Sequence, residues 1–177
     1  MRRVIAALAM AGGLFETFKS VCLANPHDAE AAVATALAAG FTPFEPDLPT
    51  KPGRRHFEKT EGERRFSVII SSARAPADEE GPARASVTCG ATIDGRDLVA
   101  LAEARAWVAV PPVEEMGGLS FFMFLAQDGK HLSVDGVADA DAEAAADKAI
   151  RDGSLRVLRL QDSDIITGII LDSARAL

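Results

Sequence analysis

The sequence lacks tyrosine, contains a single tryptophan, and carries 26 acidic against 19 basic residues, for a formal net charge of −7. Proteins that bind a phosphate backbone need a basic face, and proteins that bind single strands use aromatic rings as stacking platforms. Both features are scarce in this chain. The composition therefore predicts that the protein has no nucleic-acid partner.

Long apolar runs are missing as well. No stretch of the sequence approaches the roughly 18–20 apolar residues of a membrane-spanning helix, so we expect no integral membrane segment. Of the 177 residues, 48% are hydrophobic and 25% are charged, which is typical of a globular chain rather than a disordered one. A chain of this length and composition is expected to form one domain with its own core.

The first 13 residues have the features of a short secretory signal: two arginines, a short apolar run and the triplet Ala9-Met10-Ala11. Secretory signals usually span about 15–30 residues, so this one is at the short limit. We interpret residues 1–13 as a signal-like segment and predict a periplasmic or secreted protein. The alternative is a cytoplasmic protein in which the same residues begin a structural helix.

Residues 14–40 have the spacing of a helical hairpin. Apolar residues recur at three- and four-residue steps in both halves, and Asn25 is predicted to cap the second helix, which ends at Gly40. The hairpin is expected to dock on the rest of the protein through four side chains: Phe15, Phe18, Val33 and Leu37. Cys22 ends the apolar stripe of the first helix, so we expect it to be buried.

Residues 41–65 are predicted to be a proline strap followed by a charged loop or an edge hairpin. The prolines are spaced every third residue, as in a polyproline II helix, at Pro43, Pro46, Pro49 and Pro52. A ligand for a proline-recognition domain is the functional alternative. The charged residues that follow largely balance one another, which is typical of a solvated segment.

Residues 66–177 change to the two-residue period of strands. Residues 85–93 alternate cleanly, which places Cys89 on the apolar face with Val87, Ala91 and Ile93. We predict hairpins around Asp128-Gly129 and at the end of the chain, a helix capped by Asp94 or Asp97, and a helix over residues 139–151. Residues 107–110 are predicted to form a short strand that ends at Pro111-Pro112.

These elements predict a single α+β domain over residues 14–177. Its N-terminal helical hairpin packs with a mainly antiparallel sheet, and two further helices cover one face of that sheet. The alternation of residues 85–93 indicates that the other face contacts water.

Known catalytic motifs are absent: there is no Gly-x-Ser-x-Gly elbow, P-loop, dinucleotide fingerprint or His-Glu-x-x-His helix. A thiol hydrolase would pair Cys22 or Cys89 with a histidine base, and the three histidines are His27, His56 and His131. The pattern buries both cysteines, however, and an apolar setting raises the pKa of a thiol. We therefore predict no catalytic residue.

No metal or cofactor site is predicted either. Two cysteines and three scattered histidines lack the paired spacing of a structural zinc site. Four acids bunch near one helix start, at Asp135, Asp139, Asp141 and Glu143, but they do not follow the calcium-loop pattern. Acids in a first helical turn are explained by the helix dipole.

The two cysteines leave two possibilities open. Both are predicted to face the core, one from a helix and one from a strand, so a helix packed across the sheet could bring the sulfur atoms together. In an oxidising compartment such a pair forms a disulfide, whereas in the cytoplasm both residues stay buried thiols.

Residues 14–41 and 86–93 resemble a loose group of small exported bacterial proteins of uncharacterised function. Those proteins open with a Phe- and Cys-containing helix, continue with an Ala-rich helix that ends in Gly-Phe, and carry a later strand cysteine, as this chain does over about its first half. The resemblance implies export and a Cys22–Cys89 disulfide, and it implies no activity.

The function expected from the sequence is that of a non-enzymatic exported protein with a binding or envelope-assembly role, with a protein as the candidate partner. The alternative is the thiol-dependent hydrolase that uses Cys22 or Cys89 with a histidine.

Overall fold

The structure is a computed structural model that describes residues 13–46, 52–77, 83–134 and 139–177. The signal-like residues 1–12 lie outside the described residues, as do Pro49 of the predicted strap and Asp135 of the acidic group.

The described residues form four α-helices, one π-helical turn and nine strands. The helices are α1 (Leu14–Phe18), continued by the π-helical turn Lys19–Leu23, then α2 (Ala29–Ala38), α3 (Leu98–Val108) and α4 (Asp139–Arg151). The strands are β1 (Thr42–Phe44), β2 (Arg54–Glu61), β3 (Arg64–Ala75), β4 (Arg84–Asp94), β5 (Glu114–Met116), β6 (Leu119–Gln127), β7 (Lys130–Ser133), β8 (Leu155–Asp162) and β9 (Ile166–Ala176).

All nine strands belong to one sheet, in the order β1-β2-β3-β4-β9-β8-β6-β5, with β7 also paired to β6. Every strand pair is antiparallel. Helices α1 and α2, with the π-helical turn between them, lie against β3 and β4, whereas α3 and α4 lie against β8 and β9. The α+β class and the antiparallel sheet predicted from the sequence are therefore confirmed.

The predicted alternation of β4 explains where the core lies. Val87, Cys89, Ala91 and Ile93 are all buried. Cys89 pairs with Ile70 of β3 and with Leu171 of β9, and both partners are also buried. The helices cover this face of the sheet because it carries the large apolar side chains.

The helical hairpin is present, with two differences from the prediction. Asp28, not Asn25, caps α2, because its carboxylate accepts a hydrogen bond from the Ala31 amide at 2.9 Å. Phe15 and Phe18 are buried as expected, but Leu37 is 47% exposed. Helix α2 packs through its small residues Ala29, Ala32 and Ala36, which allow a close approach and turn Leu37 outward.

Among the described residues of the predicted strap, only Thr42–Phe44 belong to a strand, whereas the charged loop consists mostly of strands. Pro43 lies in β1, opposite Phe57 of β2, and the charged residues form the β2–β3 hairpin, so the edge-hairpin alternative is correct. Phe57 is buried, and its burial fixes the face that β2 turns toward the core. Gly62, at a φ of 62°, closes the turn.

The predicted strand at residues 107–110 is wrong, because Trp107 and Val108 complete α3. The apolar stripe of this helix runs from Ala100 to Val108, and Ala109 ends it in the left-handed conformation with a φ of 53°. Asp97 caps its start, as predicted, by accepting a hydrogen bond from the Ala100 amide. As a residue of α3, Trp107 lies above the sheet, where its ring contacts Phe124 of β6.

The remaining elements agree with the prediction. Asp128 and Gly129 both have positive φ, as a two-residue hairpin turn requires, and they join β6 to β7. Helix α4 has the predicted bounds, and β8 and β9 form the final hairpin. In the described part of the chain, no helix has both the length and the apolar character needed to cross a bilayer.

Candidate functional site

Cys22 and Cys89 form a disulfide that ties the π-helical turn to the centre of the sheet. Their sulfur atoms are 2.04 Å apart and their Cα atoms 5.3 Å apart. Cys22 is fully buried and Cys89 is 2% exposed. While the disulfide is intact neither sulfur is a thiolate, so the hydrolase alternative would first need the disulfide to be reduced.

The disulfide anchors a turn, residues 24–28, that crosses the end of β9. The side-chain amide of Asn25 donates hydrogen bonds to the Val21 carbonyl and the Thr35 hydroxyl, at 3.1 and 3.2 Å. The Ser173 hydroxyl of β9 donates a hydrogen bond to the Pro26 carbonyl. These contacts fix the position of the next residue, His27, over β8.

His27 contacts the start of β8 through its Nε2 atom. This nitrogen lies 2.9 Å from the Gly153 carbonyl oxygen and 2.9 Å from Nη2 of Arg156. One ring nitrogen cannot bond to both groups. Because an arginine only donates and the Gly153 oxygen already accepts from Nη1 of Arg156, we assign Nε2 as the acceptor from Nη2, place the ring proton on Nδ1, and treat the Gly153 oxygen as a close neighbour of Nε2 rather than its hydrogen-bond partner. A Cβ at Gly153 would lie 3.2 Å from Nε2, so this position favours a glycine.

The pKa of His27 is lowered, first by burial and then by the positive charge of Arg156. The Gly153 carbonyl acts in the opposite direction, and the charge of Arg175 lowers the pKa further. His27 is therefore neutral at neutral pH, which suits an acceptor of a hydrogen bond from arginine.

Arg156 is buried beside this histidine, at 8% exposure, and it is the only charged residue among the buried ones that the structure describes. Its Nη1 donates to the Gly153 and Leu155 carbonyls, at 2.5 and 2.9 Å. No carboxylate of a described residue lies within 4.0 Å of its guanidinium. Burial lowers the pKa of Arg156, because it penalises the charged form.

A cavity of about 270 Å³ lies next to Arg156, and we call it the Arg156 cavity. Its polar walls are Arg156 and His131, and its apolar walls include Leu23, Pro26, Trp107 and Phe124. The elements around it are the helical turn, the end of α3 and the strands β6 to β9. Most of its surface is therefore apolar and aromatic, with one buried positive charge.

His131 joins the aromatic wall of this cavity. Its ring centroid lies 4.4 Å from that of Trp107 and 4.7 Å from that of Phe124, both edge-to-face. Its Nδ1 lies 3.1 and 3.2 Å from the carbonyls of Trp107 and Val108. Because carbonyls only accept, Nδ1 carries a proton, and in the neutral ring Nε2 is then an acceptor.

A second cleft continues on the other side of Pro26. It has a volume of about 250 Å³ and is lined by His27, Asp28 and Arg175 among others. Arg175 is exposed. This cleft adds a second cation near His27, but its residues are more accessible to water.

The structure brings together two of the three histidines that the sequence analysis considered. His131 lines the Arg156 cavity and His27 contacts Arg156, whereas His56 lies on the opposite face of the sheet, 5.7 Å from the ring of Phe44. In the described residues, no group of three or more His, Cys, Asp or Glu side chains is arranged to hold a metal ion.

Sequence reasoning missed Arg156 and Trp107. A signal for Arg156 was present: Leu158 and Leu160 face the core, so the two-residue period of β8 places Arg156 on the same apolar face. A charged residue at such a position marks a buried polar site. Trp107 was hidden because its segment was interpreted as a strand.

Comparison with known proteins finds no protein family, no curated protein and no solved structure that matches the chain.

Proposed function

We propose that the protein is a non-enzymatic binding protein of an extracytoplasmic compartment, periplasmic or secreted, and that the Arg156 cavity is its binding site. The observation that carries the proposal is the cavity itself. A concave, mostly apolar and aromatic surface with a few fixed polar groups is typical of a small-molecule site. Its volume of about 270 Å³ is near the lower end of the usual range of about 300–1,000 Å³.

The side chains of the cavity support binding rather than covalent catalysis. The described residues that line it include no serine, threonine, cysteine, lysine or carboxylate. Nε2 of His27 accepts from Arg156 and Nδ1 of His131 donates to backbone carbonyls, and neither histidine faces a nucleophile among the described lining residues. No observation favours the thiol-dependent hydrolase while Cys22 and Cys89 are joined.

The extracytoplasmic location is supported by the disulfide, because structural disulfides persist in oxidising compartments and are rare in the cytoplasm. It is tested on protein purified from its native host. Intact mass is expected to show a chain that begins after Ala11, and thiol titration under denaturing, non-reducing conditions is expected to find no free thiol. A chain that begins at Met1 or Arg2 with two free thiols would place the protein in the cytoplasm.

The binding function is tested by filling the cavity. Ala126 lines it, so Ala126→Leu is expected to occupy part of its volume. Ala73→Leu is the matched control, because Ala73 is an exposed residue of β3. A panel of small anionic, neutral and cationic organic compounds is then compared by thermal shift.

Some members of the panel are expected to raise the Tm of the native protein and of Ala73→Leu, but not that of Ala126→Leu. A panel in which no compound separates Ala126→Leu from the other two proteins would overturn the binding function. A partner protein or an envelope assembly, expected from the sequence, remains a prediction to which we assign no surface.

A further inference from the structure

We propose that the Arg156 cavity binds a small organic monocarboxylate, whose carboxylate pairs with Arg156 and whose apolar body lies against Trp107, Phe124 and His131. This inference rests on the proposed binding function and adds the chemical class of the ligand.

The first argument is the charge of Arg156. Taking an arginine out of water is costly unless the charge is paired. The groups that contact its guanidinium in the described structure are two carbonyls and a neutral imidazole, none of which carries a negative charge. A carboxylate in the cavity would supply the missing counter-charge.

The second argument is the number of free donors. A guanidinium has five N–H groups. Three are used, by the Gly153 and Leu155 carbonyls and by Nε2 of His27. Two remain without a partner among the described residues, which is the number that a carboxylate accepts in a two-point pair.

The third argument is the shape and lining of the cavity, which select the rest of the ligand. Trp107 and Phe124 form an apolar wall, and His131 packs edge-to-face against both rings. A volume of about 270 Å³ corresponds to roughly nine water molecules at about 30 Å³ each, and hence to a ligand of roughly nine heavy atoms. Benzoate has this size.

The fourth argument distinguishes a monoanion from a dianion such as phosphate. Arg156 is the one permanently charged side chain among the described residues that line the cavity. His131 presents Nε2 as an acceptor, because its Nδ1 proton is bound to carbonyls. A second negative charge would meet this acceptor and the apolar wall instead of a second cation.

The test uses matched acids and amides. Benzoate and benzamide have the same shape and number of heavy atoms, and so do hexanoate and hexanamide, but only the acids carry a charge. Trp107 is the single tryptophan of the chain and lines the cavity, so its fluorescence reports binding directly. We expect at least one acid to bind ten-fold or more tightly than its amide.

Variants assign this preference to Arg156. Arg156→Met removes the charge at similar size and is expected to abolish the difference between acid and amide. Arg159→Met is the matched control: it lies three residues along β8, on the other face, where Arg159 pairs with Asp172 at 2.8 Å. It is expected to keep the ten-fold preference. If Arg156→Met does not fold, acid and amide binding is compared in the native protein and in Ala126→Leu instead.

Three outcomes would overturn the inference: neither acid binds at millimolar concentration, each acid binds no more tightly than its amide, or the preference persists in Arg156→Met. Failure of the inference differs from failure of the proposed function. If only neutral or cationic compounds stabilise the native protein over Ala126→Leu, the binding function stands and the monocarboxylate is wrong.

Discussion

Helix α3 has a cavity at each end, and each cavity contains an arginine. At the start of the helix a cavity of about 210 Å³ is lined by Arg105, Ser120 and Asp162 among others. There Arg105 contacts the Glu115 carboxylate at 2.9 Å and the Ser120 hydroxyl at 2.7 Å. At the end of the helix, Arg156 contacts carbonyls and an imidazole and has no described carboxylate.

The two arginines differ in their exposure to water as well as in their hydrogen-bond partners. The Arg105 side chain is 46% exposed, and Glu115 is also exposed, so water stabilises both charges with or without the pair. Arg156 is 8% exposed, so water stabilises its charge much less. The comparison shows why two cavities of similar size differ in their expected ligand: only the buried cation needs an anion.

The largest effect is expected from Phe18→Ala, which removes a core ring that packs against Trp107 of the Arg156 cavity. Phe18 is fully buried, and its ring packs edge-to-face on Trp107 at 6.4 Å. Truncation is expected to lower the free energy of unfolding by about 3–5 kcal/mol, as measured by urea denaturation. The exposed Leu37 is the control, and Leu37→Ala is expected to cost no more than about 0.5 kcal/mol. Equal losses in the two variants would contradict this distinction.

A similar loss is expected when the disulfide is removed. The cysteines are 67 residues apart, and the chain-entropy model assigns such a link about 4 kcal/mol. The double variant Cys22→Ala with Cys89→Ala is expected to lose up to this amount in urea denaturation. Leu23 follows Cys22 and lines the Arg156 cavity, so the affinity for benzoate should fall as well. Native protein whose unfolding is the same with and without reductant would argue against a stabilising disulfide.

The fold was largely predictable because its signals are local. The two-residue period of β4 indicates a strand, and the dipeptide Asp128-Gly129 indicates a hairpin turn. Both are present in the structure. The errors arose where two local interpretations competed. Trp107 and Val108 suit a strand as well as a helix. In α2, the small residues Ala32 and Ala36 that pack on the core were outweighed by the larger Leu37.

The candidate site was less predictable because it is assembled from distant parts of the chain. His27 and Arg156 are 129 residues apart and meet only when β8 pairs beside β9 under the helical turn. No local rule in the sequence indicates which residue His27 contacts. The inward position of Arg156 was available from periodicity, but the absence of a carboxylate partner among the described residues depends on tertiary structure.

A smaller effect is expected on the pH dependence of the free energy of unfolding, to which His27 and His56 contribute separately. Burial is the main cause that lowers the pKa of each, followed by Arg156 for His27 and Arg54 for His56. As pH falls below about 6.5, the unfolded chain therefore takes up protons first. Stability is highest above this pH and decreases on acidification until the folded-state pKa is reached.

His27→Gln is expected to remove part of this loss between about pH 6.5 and 5, before most carboxylates titrate. His56→Gln is expected to remove a separate part, and only His27→Gln is expected to change benzoate affinity, because His27 contacts Arg156. Urea denaturation at several pH values measures the first effect and Trp107 fluorescence the second. A wild-type protein that gains stability on acidification through this window would show that the sign is wrong.

The smallest effect is expected from Glu115→Gln, which removes the carboxylate partner of Arg105 and so imitates the situation of Arg156. Because Arg105 remains in contact with water, we expect little change in Tm.

A binding measurement shows whether burial or the absence of a carboxylate partner makes an arginine an anion site. In the double variant Arg156→Met with Glu115→Gln, Arg105 has lost its carboxylate, but it is still solvated and should not attract benzoate. Trp107 also lies at the far end of α3, so calorimetry rather than fluorescence is the appropriate measurement. If the double variant bound benzoate more tightly than Arg156→Met alone, the absence of a carboxylate would be sufficient to create an anion site, and burial would not be the property that distinguishes the two cavities.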